Sequence, residues 1–525
     1  MFFCVDINIF LSFAAIFFNQ INMKNLSNFT EKILLPFLHS INRFSNRNAF
    51  CIAGQFYTYE QFGNHIANIR CIIQQMQIPD TVCLVANDTI ETYAAIFALW
   101  LEGKSYVALN PNQPFERNEI IIKQIDSNFI LDSNKDSQFT HYKLISLNSL
   151  NNVCECSDYK TVSDEQRAYI LFTSGSTGIP KGVEITLKNL SAFVQAFEKT
   201  EIIITENDRC LQCFDLTFDV SVQSFLLPLL KGACVYTVPH NQLKFKYVYE
   251  LLHKHKLTFG AMTPSMLRFL QPYFNKIYLE SFRCCILTAE ASSEDFVSQW
   301  SKSIPNAKIY NFYGPTEGTI YCIYYPFERE KENQSHQGML AIGKPMEGIT
   351  AILIDEQKNE VLCGEKGELC IAGNQITKGY WNEPKKTDES FFYQTKNNKK
   401  LKFYRTGDIC SLTKDGNFLL YGRNDYQVKI QGYRIELGEV EYHARAFVPN
   451  ANLVALSFEN KMNNTEIALI IEGKDFETKD LKDYLHKKLP PYMLPCNYYF
   501  VPKFPVNNSE KLDRVSLKKM IFNNE

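Results

Sequence analysis

The chain has 525 residues, 45% of them hydrophobic and 21% charged, with a formal net charge of −2. That length accommodates several domains with sizeable cores, and the composition is that of an ordinary globular protein. A near-neutral balance gives no electrostatic basis for binding nucleic acid or an anionic membrane.

In chain order, residues 1–22 come first, with the apolar run IFLSFAAIFF at 9–18. No Lys or Arg precedes Lys24 and Asp6 stands before the run, so the signal-peptide pattern fails. The run is also too short for a membrane span. Met23 reads as a cytosolic start, and residues 1–22 are expected to be an upstream extension outside the fold. From Leu26 to Gly422, short apolar strands alternate with helical patterns. VCLVAN (82–87), SYVALN (105–110), CCILTAE (284–290) and AKIYNFYG (307–314) are strands. TIETYAAIFALWLEG (89–103) and SEDFVSQWSKSI (293–304) are helices. After Gly343 the pattern turns strand-rich (TAILID, GELCIAG, NFLLYGR), and beyond Asp425 comes a tail with the helix KDLKDYLHKKL. This rhythm predicts an α/β multidomain fold: a large N-terminal domain (23–424) of two helix-covered sheets plus a barrel-like subdomain, and a small α+β C-terminal domain (425–525). The 16 cysteines are scattered through apolar runs without paired metal-type spacing. CLQC (210–213) lacks a second half. Buried thiols in a reducing, cytoplasmic setting are the expectation.

The segment LFTSGSTGIPKGVEI (171–185) is a glycine- and hydroxyl-rich loop with one lysine. Its glycines allow N–H groups to converge on an anion. Thr173, Ser174, Ser176 and Thr177 add neutral donors, and Lys181 adds a movable charge. The loop suits a polyphosphate, although a plain hairpin loop favours the same residues. It is not a mononucleotide-type phosphate loop, because Pro180 stands where the second Gly of G-x-x-x-x-G-K-[ST] belongs. Its flanks, AYILF and GVEIT, read as two strands, with a helix starting near Leu187.

Further along, NFYGPTEG (311–318) places Glu317 beside a hydroxyl and a Gly-Pro turn at a strand end, where α/β sheets collect ligands. A carboxylate there can hold Mg²⁺ against phosphate oxygens, and Tyr313 offers a flat face to a base. YRTGD (404–408) supplies Asp408, whose two oxygens can accept both ribose hydroxyls. Lys429 and Lys511 lie in the tail. Each fragment alone also reads as a turn, a cap or a solvated charge.

Taken together, these motifs resemble the adenylate-forming superfamily, specifically amino-acid adenylation domains of nonribosomal peptide synthesis and stand-alone D-alanine–carrier protein ligases. The resemblance runs from Met23 onward and includes LEGKSYVALNPNQP, FDLTFDVSVQSF, GELCIAGNQITKGYW, GRNDYQVKIQGYRIELGEVE, LPPYMLP and NNSEKLDR. It implies ATP with Mg²⁺, adenylation of a carboxylate, and transfer of the acyl group to a phosphopantetheine thiol. It implies that Thr173, Ser174, Gly175, Ser176, Thr177, Gly178 and Lys181 grip the β- and γ-phosphates. Asn311 and Tyr313 would face the adenine, with Gly314 also in the ATP site, Thr316 the α-phosphate, Glu317 the Mg²⁺, and Asp408 and Arg423 the ribose. Lys511 would bridge the substrate carboxylate and the developing oxyanion, which a fixed ammonium stabilises. Asp425 matches the hinge, with Lys429 and Gly432 lining the site for thiolation. The chain departs from the family at Ser509-Glu510-Lys511, where Asn-Gly-Lys is usual, and at Ala289, where Gly is common.

The resemblance assigns Asp219 to the α-ammonium of an amino acid; the plain alternative is a helix cap. A buried carboxylate would penalise an acid without an amine. The remaining pocket positions by motif are Val220, Gln223, Ala261, Leu287, Ala289, Phe312, Ile320 and Tyr321. Bulky Phe312 and Tyr321 point to a small amino acid, with D-alanine a candidate, while Gln223 can hydrogen-bond a polar side chain. Only eleven residues follow Arg514, so the acceptor is expected to be a separate carrier protein or free coenzyme A. Two alternatives stay open. An acyl- or aryl-coenzyme A ligase on the same scaffold is distinguished by Asp219, and a non-catalytic nucleotide-binding regulatory relative is suggested only by Glu510.

Overall fold

A computed structural model describes residues 26–148, 162–175, 178–240, 242–396, 398–449, 451–506 and 512–522. The expected extension 1–22, together with Ser176, Thr177, Glu510 and Lys511, lies outside the described residues. Two sheets dominate the first four hundred residues. The larger has nine strands, in the order Lys344–Pro345, Ile323–Phe327, Lys308–Tyr313, Cys284–Leu287, Phe259–Met262, Arg209–Gln212, Cys234–Thr237, Asn48–Ile52 and Gln55–Thr58. Its central pairs are parallel and its edge pairs antiparallel. The second has six strands, in the order Lys143–Ser146, Phe129–Asp132, Thr81–Val85, Ser105–Leu109, Arg167–Thr173 and Lys181–Thr186.

Helices Ile90–Leu101 and Asp219–Leu230 are buried on every face, as near-continuous apolar sequences require. They meet through Tyr93 and Phe97, whose rings lie 5.5 and 6.1 Å from Phe225. The strand-rich stretch forms an open five-stranded antiparallel sheet built around the long strand Lys399–Leu412. It does not close into a barrel among the described residues.

The tail builds its own small α+β unit. Strands Leu453–Glu459, Thr465–Glu472 and Asn497–Val501 form one sheet. Alternation along the first strand sends Leu453 and Ala455 into one core cluster and Val454 and Leu456 into another, so helices cover both faces. Ahead of this sheet, Gln427–Ile430 and Tyr433–Glu436 pair as a hairpin. Its turn places Gln431 and Gly432 at φ of 50° and 84°, the doubly left-handed form that suits a two-residue hairpin.

The cysteines follow the sequence reading. Among the described residues all are free, Cys210 and Cys213 are buried, and only Cys363 and Cys496 are exposed. No group of metal-ligating cysteines, histidines or carboxylates is found among the described residues, and no described helix is long and apolar enough to cross a membrane.

Candidate functional site

The site forms where the carboxyl ends of both sheets face the hairpin. Arg167–Thr173 and Lys181–Thr186 pair antiparallel with Thr173 opposite Lys181, so the loop between them joins two strands. Thr186 then caps the helix Leu187–Glu198 in a capping box with Asn189. A Cβ on Gly175 would lie 2.1 Å from the Ile179 carbonyl oxygen, and one on Gly178, at φ of +78°, 2.3 Å from the Tyr442 ring. Both positions require glycine. Two of the loop's described residues, Ser174 and Gly175, are engaged by the tail. Ser174 Oγ donates to the Arg434 carbonyl at 2.7 Å and accepts the Glu436 N–H at 3.1 Å. Gly175 N–H donates to Glu439 Oε2 at 3.2 Å. Glu439 is fully buried and also pairs with Arg117.

Glu317 follows the strand Lys308–Tyr313 and is completely buried. Its carboxylate accepts from Arg434 Nη1 at 2.9 Å and from the Tyr380 hydroxyl at 2.8 Å, with Lys181 Nζ at 3.8 Å. Burial alone would raise its pKa, but Arg434, Lys181 and the Tyr380 hydrogen bond outweigh that and bring it to about 2. Lys181 moves the other way: burial first, then Arg434, lowers it to about 8 despite Glu317. An anion in the loop would reverse part of that loss.

On the opposite side, Tyr313 donates its hydroxyl to Asp408 Oδ2, and Arg423 Nη1 donates to Asp408 Oδ1 at 2.9 Å. Arg423 also grips Asp425 with two bonds of 2.6 and 2.7 Å, which couples the strand-rich sheet to the expected hinge. Lys429 Nζ sits 5.4 Å from the Tyr313 ring centre. Burial lowers the Lys429 pKa, against the pull of Asp408. Gly432 approaches so closely that a Cβ would lie 2.9 Å from the Thr263 methyl, and its N–H donates to Glu290 at 2.7 Å. Asn311 spends its side chain within the fold, donating to the Ala341 carbonyl and accepting from Ser292.

Asp219 is the first residue of its helix, with Phe218 as the flanking cap position. Its Oδ2 is buried with no hydrogen-bond partner among the described residues. Burial pushes its pKa up to about 7, only partly offset by the nearby Thr316 hydroxyl and Val220 N–H. Asp219, Val220, Thr288, Ala289, Gly314 and Thr316 line one continuous cleft together with Thr173, Tyr313, Asp408, Arg423, Lys429 and Gly432. Gln223, Ala261, Leu287, Ile320 and Tyr321 do not line it. Phe312 and Tyr321 pack ring to ring at 4.7 Å, and Phe312 stacks on Tyr324 at 5.2 Å. The sequence departure at Ala289 has a structural counterpart. Its φ of +68° is a left-handed conformation that Gly adopts more readily.

The structure thus assembles residues from both expected domains around one cleft and adds several that sequence reasoning left without a role. Arg434, Glu439, Tyr380 and Arg117 are the principal ones. Arg434 and Tyr380 sit inside motifs already quoted, but Arg434 is 117 residues from Glu317 in sequence.

Comparison with known proteins places the chain in a family. Residues 37–381 match the model of the AMP-binding enzyme family. The chain is 29% identical over 490 residues to tyrocidine synthase 1 of Brevibacillus parabrevis, covering 90% of this chain and 44% of that protein, so it spans less than half of that relative's length. It is 29% identical over 486 residues to the D-alanine–D-alanyl carrier protein ligase of Lactococcus lactis subsp. lactis (strain IL1403), covering 88% of this chain and 94% of that one. The crystal structure of the Vibrio cholerae adenylation domain AlmE superposes with a TM-score of 0.81 at 24% identity, over 93% of this chain and 97% of that one.

Proposed function

Since the chain belongs to the family of AMP-binding enzymes, we propose that it is an ATP-dependent ligase that activates an amino acid as its aminoacyl adenylate, releasing pyrophosphate. The acyl group then passes to the phosphopantetheine thiol of a separate carrier protein. Similarity along nearly the full length of a D-alanyl carrier protein ligase supports that acceptor. The observation that carries the amino-acid reading is Asp219, which lines the cleft with Thr316 and whose Oδ2 is buried with no hydrogen-bond partner among the described residues. A buried acceptor without a partner is costly, and an α-ammonium is the group that satisfies it best. The substrate is a small amino acid: the bulky Phe312 and Tyr321 of the motif pocket pack on each other, ring to ring, outside the cleft lining, and this supports that size. D-alanine remains a candidate.

Thr173, Ser174, Gly175 and Lys181 bind the polyphosphate, and Asp408 and Arg423 hold the ribose. Glu317 fits Mg²⁺, since it is a hard oxygen donor that stays ionised. The bound metal would neutralise charge on the phosphate oxygens. In the arrangement seen here Arg434 holds that carboxylate and Glu439 holds the loop, which suits the second half-reaction. The large unit ends at Asn424, and the tail turns about Asp425 to bring Lys511 to the acid for the first. A panel of amino acids, including glycine and both enantiomers of alanine, together with propionate as an amine-free control, tests this by mass-spectrometric detection of acyl adenylates. Adenylates from small amino acids and none from propionate are expected. Equal activation of propionate would overturn the amino-acid reading.

A further inference from the structure

Glu317 has three side-chain partners among the described residues, and they do not come from one place. Arg434 reaches it from the hairpin, whereas Lys181 and Tyr380 belong to the large unit. When the hairpin withdraws, Arg434 leaves and the other two remain. We propose that Tyr380 is the positioning residue of the polyphosphate site: its hydroxyl fixes one oxygen of Glu317, and its ring seats Lys181. The proposal rests on reading Glu317 as the metal-binding carboxylate.

The geometry supports both halves. The Tyr380 hydroxyl engages Glu317 Oε1, while the shorter Arg434 contact is to Oε2. Removing Arg434 therefore leaves a carboxylate with one oxygen tied back and the other free, which suits monodentate binding of a small octahedral cation. A phenol hydroxyl facing a carboxylate oxygen at 2.8 Å donates to it. The ring centre lies 4.9 Å from Lys181 Nζ, within cation–π range. This restrains the ammonium of a flexible side chain at the mouth of the loop.

Tyr380 is itself well anchored. Its N–H donates to Thr387 Oγ1 at 3.0 Å, its backbone bridges to Val183, and Trp381 N–H donates to the Gly182 carbonyl at 2.8 Å. The segment is thus stitched to the strand that begins at Lys181. One residue thus links the strand that begins at Lys181 to Glu317, which sequence places far away.

The test compares ATP affinity by calorimetry in EDTA and across a magnesium titration, for the wild type, Tyr380→Phe and Glu317→Gln. Phenylalanine keeps the ring under Lys181 and removes only the hydroxyl. Tyr380→Phe is expected to match the wild type in EDTA, while its magnesium midpoint rises by about tenfold, the lower end of what outer-shell partners of metal ligands cost. Excess magnesium should then restore the adenylation rate. A wild-type midpoint in Tyr380→Phe, with a raised one in Glu317→Gln, would overturn the positioning role alone. So would an equal loss of affinity with and without metal, since that marks simple packing. An unchanged midpoint in Glu317→Gln would overturn the metal reading, and this inference with it.

Discussion

Arg434 and Glu317 meet at 2.9 Å in a largely buried ion pair that joins the tail hairpin to the end of a strand in the large sheet. Breaking one side of a buried pair typically costs about 3–5 kcal/mol, and Lys181 at 3.8 Å softens that loss. Arg434→Gln should therefore loosen hairpin docking without removing any group proposed to contact ATP. Transfer to the acceptor thiol is expected to fall by about tenfold or more, equivalent to about 1.4 kcal/mol. ATP–pyrophosphate exchange should stay close to wild type. Measuring the two half-reactions separately checks this, and a loss confined to exchange would refute it.

Asp219→Asn keeps the shape of the side chain but removes its charge. Losing a charge-assisted bond costs about 1.5–3 kcal/mol, or roughly tenfold to a few hundredfold in amino-acid affinity. ATP affinity should hardly change. Calorimetry with each ligand separates this selective loss from unfolding, which would lower both.

Asp219 also predicts a pH dependence. Burial holds its pKa near 7 in the empty protein, so the folded state keeps a proton that the unfolded chain releases. The stability this contributes is present at low pH and declines as pH rises from the ordinary aspartate range toward 7. Amino-acid binding runs the opposite way because it needs the carboxylate. Affinity should climb by up to about tenfold per pH unit below about 7 and then level off. Asp219→Asn should flatten that profile.

Gly432→Ala places a Cβ 2.9 Å from the Thr263 methyl at a φ of +84°. The left-handed backbone alone costs about 1–2 kcal/mol for a residue with a Cβ. Transfer should slow while adenylation persists. A variant with both half-reactions intact would show that the hairpin tip need not approach so closely.

Lys511→Ala should reduce adenylation by orders of magnitude while ATP still binds, because the ammonium acts mainly on the transition state. Near-normal pyrophosphate exchange in the variant would remove Lys511 from the mechanism and direct attention to Glu510.

Much of the scaffold was legible because it is written in local patterns. Strands such as Cys284–Leu287 and Lys308–Tyr313, and the start of helix Leu187–Glu198, follow from apolar runs and a capping threonine. The place of the glycine-rich loop between two strands was equally local. Partnerships across the fold were not legible. Nothing near Arg434 or Tyr380 in sequence specifies that both converge on Glu317, since that depends on how distant strands and the tail pack. Pocket depth was opaque for the same reason. The motif identifies Gln223 and Tyr321, but only packing shows that they lie behind the cleft wall.

The contacts of Ser174 and Gly175 with the tail occupy the donors that the proposed function assigns to the polyphosphate. Any anion that takes those donors competes with the docked tail, and mass action fixes the penalty. At free pyrophosphate a hundredfold above its dissociation constant, docking is opposed by about 2.7 kcal/mol. Under the proposed function, pyrophosphate would then oppose thioester formation as well as being the first step's product. Its hydrolysis elsewhere in the cell would pull adenylation forward and release the tail to dock.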